Sequence, residues 1–260
     1  MNKRRKQKRL VVFVLFLLIP VLASFSSKLI FYQLSKDKLI KAVKIESDDK
    51  NSRFIDSFTI YSIQVGSLKD YGKVDLVKKD LDENLIPNYV LKKDNAYKIY
   101  SYTFLDENCI RNLLSGVKEN YTDAFISKIK VSGIKLEYTD KYFYMDDIYR
   151  ELKLMNENMK RESKFWYEYT IGTFKRENYI SIINEKKKIV DSLTKNIQNI
   201  QYENAENFKN NLKEFCEKYA NSVKEIEENF EKGNMYSCEK LFLSGLFDYY
   251  NFINKLKTVN

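Results

Sequence analysis

Between residues 58 and 131 the hydrophobic period switches between two and about 3.6 in a fixed order, and that order constrains the fold more than any other feature of the chain. Residues 58–65 alternate, with Thr59, Tyr61, Ile63 and Val65 on one side and Phe58, Ile60, Ser62 and Gln64 on the other. Gly66-Ser67 ends that strand at a turn. Residues 69–84 then take helical spacing, with Val74, Val77 and Leu81 on one stripe. Pro87 opens a second strand over 88–93, Asp94-Asn95 suits a tight turn, and 97–104 reads as a third strand. Asp106-Glu107-Asn108 caps a second helix striped by Ile110, Leu113, Leu114 and Val117, and 123–131 reads as a fourth strand. Strand, helix, strand, strand, helix, strand is the split βαβ pattern, in which both helices cover one sheet face and leave the other open.

Residues 141–260 carry almost no strand signal. Ile148, Leu152, Met155, Met159 and Trp166 recur at helical spacing, as do Ile189, Leu193, Ile197 and Ile200. A third stripe runs through Phe208, Leu212, Phe215, Tyr219, Val223, Ile226 and Phe230, and a last one through Cys238, Phe242, Tyr249, Ile253 and Leu256. Gly233-Asn234 breaks the final two apart. The expectation is an antiparallel helical bundle or a coiled-coil hairpin.

The first nine residues hold six Lys and Arg, and residues 10–27 follow without a charge. Eighteen residues of helix span roughly 27 Å, close to a bilayer core. The fold class read from the sequence is therefore α+β: an N-terminal transmembrane helix, a split β-α-β-β-α-β module and a C-terminal helical bundle. The boundaries are a basic flank at 1–9, an anchor at 10–34, a juxtamembrane spacer at 35–56 with a short helix near 39–45, the β/α module at 57–132 and the helical region at 141–260. The basic flank predicts a cytoplasmic N-terminus and extracytoplasmic domains on a single-pass membrane protein. A cleaved signal peptide ending near Val21-Leu22-Ala23 competes, and both readings export the remainder. The net charge is +9, of which the flank supplies six, leaving +3. The basic balance is thus a topology signal, and no nucleic-acid partner is expected.

The chain has no His, which removes the commonest general base and metal ligand. No nucleophile elbow, phosphate loop or zinc spacing is present. Cys109 reads as a core residue, and a Cys216–Cys238 bridge stays open. The expectation is a non-enzyme without cofactor or metal.

The residues Tyr61-x-x-Gln64-Val65-Gly66-Ser67-Leu68, Tyr97-Lys98-Ile99, Phe104 and Asp123-Ala124-Phe125-Ile126 give residues 57–132 their family likeness. This stretch resembles the SPOR domain, a bacterial module that binds cell-wall glycan. The resemblance implies peptidoglycan strands free of stem peptides as the partner, at a division or sporulation septum, with sugars lying on the open sheet face. Carried over by position, the contact residues are Gln64 and Ser67, with Ser62 on the same face, Lys98, Tyr100 and Tyr102 on the third strand, and Phe125 on the fourth. The chain departs from the family where Tyr102 replaces a Gly, Thr103 a Pro and Lys98 an Arg. An amide that donates and accepts, beside flat aromatic rings, suits hydroxyls, acetamides and apolar sugar faces. The alternative is a scaffold whose helical region recruits cell-wall or division proteins, with the sheet purely structural and Tyr100 and Tyr102 packed on the helices. RNA binding by a similar sheet is set aside on the expected export.

Overall fold

The computed structural model describes residues 40–43, 51–201 and 205–257. The sheet of the β/α module is built from β3 (Phe58–Leu68), β4 (Asn88–Lys93), β5 (Ala96–Phe104) and β6 (Phe125–Val131), in the spatial order β4-β5-β3-β6 with every pair antiparallel. Helices α1 (Tyr71–Glu83) and α2 (Glu107–Asn120) connect β3 to β4 and β5 to β6. Each starts on an Asp: Asp70 accepts from the Gly72 amide at 2.8 Å, and Asp106 from the Asn108 amide at 2.9 Å. These caps satisfy backbone donors that a helix cannot pair internally. Val74 and Leu81 of α1 close over Ile99 of β5 on one side of the sheet. Asp94 and Asn95 both take positive φ (53° and 56°), the geometry of a two-residue hairpin turn that matches strand twist.

A second sheet is absent from the sequence reading. β7 (Ile134–Tyr138) lies between β1 (Ile40–Val43), parallel to it, and β2 (Asn51–Ile55), antiparallel. The stretch read as a juxtamembrane spacer with a short helix near 39–45 thus supplies two strands. Its charged residues hid them: Ile40 and Ile55 are buried with Ile134 and Leu136, whereas Arg53 pairs outward with Asp146 at 2.7 Å. Asp146 also accepts from the Tyr138 hydroxyl, and Asn51 donates to Asp140 at 2.7 Å.

Four long helices follow: α3 (Tyr144–Thr170), α4 (Arg176–Gln198), α5 (Glu206–Glu231) and α6 (Met235–Lys257), each packed on the one before. The apolar stripes read from the sequence are their buried faces. Gly233 (φ 74°) makes the break before α6, a conformation that side chains with a Cβ disfavour. Sheet residues and helix residues share one continuous core. Cys109, Cys216 and Cys238 are free thiols, so the open Cys216–Cys238 bridge is not formed.

The membrane expectation is corrected. Among the described residues no helix is long and apolar enough to cross a membrane. The long helices are amphipathic or interrupted by charge: α6, the most apolar, still carries Glu239, Lys240, Asp248 and Lys255. The stretch 10–34 that carried the anchor reading lies outside the described residues. A single-pass membrane protein, and the extracytoplasmic placement derived from it, are accordingly dropped.

Candidate functional site

One register row crosses the whole four-stranded sheet: Tyr89 on β4 faces Tyr100 on β5, which faces Gln64 on β3, which faces Phe125 on β6. The next row pairs Leu91, Lys98 and Ser67. These residues, with Phe58, Ile60 and Ser62, belong to the sheet side opposite α1. The sequence expected that side to be open. In the structure α6 lies across it.

The cover is aromatic. The Phe247 ring stacks on Tyr89 with centroids 4.4 Å apart and 3° between planes, and on Tyr100 at 5.2 Å. Tyr249 stacks on Phe58 at 5.8 Å. At the start of α6, Asp82 near the end of α1 accepts from Tyr236 at 2.6 Å, Lys240 at 2.8 Å and Asn88 at 2.6 Å. Burial pushes the Asp82 carboxyl up, but the bonds from Lys240, Tyr236 and Asn88 outweigh it and hold the group below its ordinary range. Burial pushes the Tyr89 phenol up to about 12, with the Asp248 charge adding to it and a bond with Asn251 opposing. Burying a large side chain contributes roughly 1.5–3 kcal/mol. The buried Tyr100, Phe247 and Tyr249, with half-buried Phe58 and Tyr89, share that gain with their other neighbours and put the contact at several kcal/mol. The cover is therefore part of the fold.

The seven residues singled out from the sequence separate accordingly. Ser62 is fully buried, its hydroxyl 2.8 Å from Thr103 Oγ1 and 3.2 Å from the Ser101 carbonyl. Tyr100 is buried under Phe247, and burial raises its phenol despite a bond with Ser127. Gln64 keeps 8% of its surface exposed. Tyr102 is half-buried beside Glu239 and holds φ at 33°, in the left-handed region, at the position where the resemblance would put Gly. Ser67 and Phe125 are exposed, Phe125 by 50%. Lys98 is partly exposed and pairs with Asp94 at 3.9 Å. The accessible end of the face thus combines Phe125, Ser67, Lys98 and one edge of Gln64. Among the described residues no three His, Cys, Asp or Glu side chains come together to hold a metal ion.

Sequence reasoning missed Tyr89 and Phe247 as the centre of this face. A signal was present: residues 241–254 contain a single charge, Asp248, and a helix apolar all round is a buried helix. From Met235 to Asn254 no α6 residue is exposed.

No family model matches the chain, and no curated protein matches it. Among solved structures it is similar to the solution structure of the peptidoglycan binding domain of the B. subtilis cell wall lytic enzyme CwlC, at 22% identity over 27% of this chain and 90% of that chain, with a TM-score of 0.25. Peptidoglycan binding is that neighbour's property, and a likeness with so low a TM-score carries no weight here.

Proposed function

We propose that residues 58–131 bind cell-wall glycan without catalysis, as the SPOR resemblance implies, using the uncovered end of the sheet. The observation that carries this is the position of the motif strand. Gln64 and Ser67 of β3 border the accessible patch that Phe125 and Lys98 complete. Phe125 offers a ring face, Gln64 and Ser67 donate and accept, and Lys98 tolerates the few anionic groups of a wall polymer. The finer reading is a preference for strands free of stem peptides.

The test is sedimentation of the full chain with purified sacculi, before and after amidase treatment. The chain pellets with treated sacculi, and Phe125→Ala combined with Ser67→Ala lowers the pelleted fraction about ten-fold, as expected for the loss of roughly 1–2 kcal/mol of aromatic and hydroxyl contact. Both substitutions sit on exposed side chains, so thermal unfolding stays within a few degrees of the parent. Absence of pelleting under every condition sinks the reading.

The second reading is a scaffold in which the sheet is structural and the helices recruit a protein partner. The seal of Phe247 on Tyr89 and Tyr100 favours it, because the face the family uses for sugar is occupied by the chain itself. Absence of pelleting, with retained capture of a wall or division protein by the full chain, favours this reading.

A further inference from the structure

One acidic group on the sealing helix has no compensation. Glu239, one turn into α6, is 5% exposed, and its Oε1 has no hydrogen-bond partner. Three elements present titratable groups that respond to its charge: Tyr102 on β5, Tyr169 on α3 and, on its own helix, Tyr236. All three are phenols. The neighbouring cation on α6, Lys240, is committed to Asp82. Beneath Glu239, β5 breaks register with β3, and Tyr102 there sits at positive φ, a backbone state that costs of order 1 kcal/mol or more for a non-glycine residue. A buried carboxyl and a strained strand thus meet at the edge of the α6 seal.

We propose that Glu239 is a protonation-dependent latch, which holds α6 on the sheet while its carboxyl is neutral and loosens that contact when it ionises. Burial is the influence on the group, and it pushes the carboxyl up to about 8. An exposed glutamate loses its proton near 4.3. Opening the contact therefore releases a proton at every pH between those values. The sign follows: the seal is tightest where both states are protonated, weakens as pH rises, and reaches its floor above about 8. Each pH unit in that window favours opening ten-fold, so the opening constant rises about 100-fold from pH 6 to pH 9. A ligand that needs the covered face binds more tightly by the same factor, since its apparent affinity scales with the open fraction. That last consequence rests on the glycan reading, whereas the latch does not.

The measurement is amide hydrogen exchange on the full chain at pH 6 and pH 9, corrected for intrinsic rates, with α4 as the internal reference. Protection in residues 236–250 falls about 100-fold relative to α4 in the parent chain and stays level in Glu239→Gln, which keeps shape and hydrogen-bonding capacity without ionising. Level protection in the parent overturns the latch. So does an equal fall in α4, which signals global unfolding, or an equal fall in Glu239→Gln, which assigns the effect to another group. Sedimentation with amidase-treated sacculi at both pH values separates the two ideas. A working latch with no pelleting at either pH leaves the latch standing and removes the glycan reading.

Discussion

Lys186→Met destabilises the protein by about 3–5 kcal/mol, while Lys186→Met combined with Glu162→Leu costs far less, and urea unfolding of the two variants separates them. The reason lies at the centre of the helical bundle. Glu162 on α3 and Lys186 on α4 form an ion pair whose side chains are 1% and 3% exposed. The Tyr179 hydroxyl donates to Glu162 at 3.2 Å, and the Lys186 ammonium lies 5.4 Å from the centroid of the Tyr219 ring on α5. Cys238 of α6 feels both charges, so all four helices converge on the pair. Burial pulls the Lys186 ammonium down, but Glu162, then Tyr219, more than reverse this and hold it above its ordinary range. Removing the lysine leaves a carboxylate buried without a counter-charge, the expensive case. Removing both partners replaces an ion pair by apolar volume, which costs little or stabilises. An equal loss in the single and double variants contradicts the assignment.

Phe247→Ala lowers stability by about 3–5 kcal/mol, the usual cost of deleting a fully buried phenyl ring. The ring is completely buried and makes two stacked contacts with the sheet, each worth roughly 0.5–1.5 kcal/mol beyond its area. Phe247→Leu retains most of the volume and loses only part of that stability, so its loss relative to the parent reports the aromatic contribution and the difference between the two variants reports the buried volume. Chemical denaturation gives both values. The same variant bears on function. If glycan uses the covered face as well as its accessible end, opening the cavity over Tyr89 and Tyr100 increases pelleting with treated sacculi. If the face is structural, Phe247→Ala weakens the fold and changes nothing in sedimentation.

The elements of residues 58–131 were legible because each is written locally. Alternation at 58–65, the Asp106 cap and the Asp94-Asn95 turn act within a few residues of themselves. The helical stripes beyond residue 141 were legible for the same reason, since a period of 3.6 survives in any environment. The small sheet was not legible. β1 and β2 are four and five residues long, carry one charge each within a charged stretch, and are hydrogen-bonded to β7, which lies far along the chain. Nothing in either segment alone distinguishes a short strand from a polar spacer. The fate of the candidate site was legible only in part. Of the candidate side chains Ser67 and Phe125 are exposed, whereas Ser62, Gln64 and Tyr100 were taken as reachable and are buried.

The sequence by itself determined the order of strands and helices in the β/α module, where its second helix begins, and which stripe of each long helix goes inward. Only the tertiary structure decided that the second side of the four-stranded sheet belongs to α6, that Glu239 ends up without a partner, and that one ion pair sits where four helices meet. The physical reason is that local spacing selects a face but not what meets it. A tyrosine on a strand presents the same flat, half-polar surface to a sugar or to a phenylalanine. Which one it receives depends on a contact between segments more than a hundred residues apart, and that contact is set by the summed burial of a whole helix.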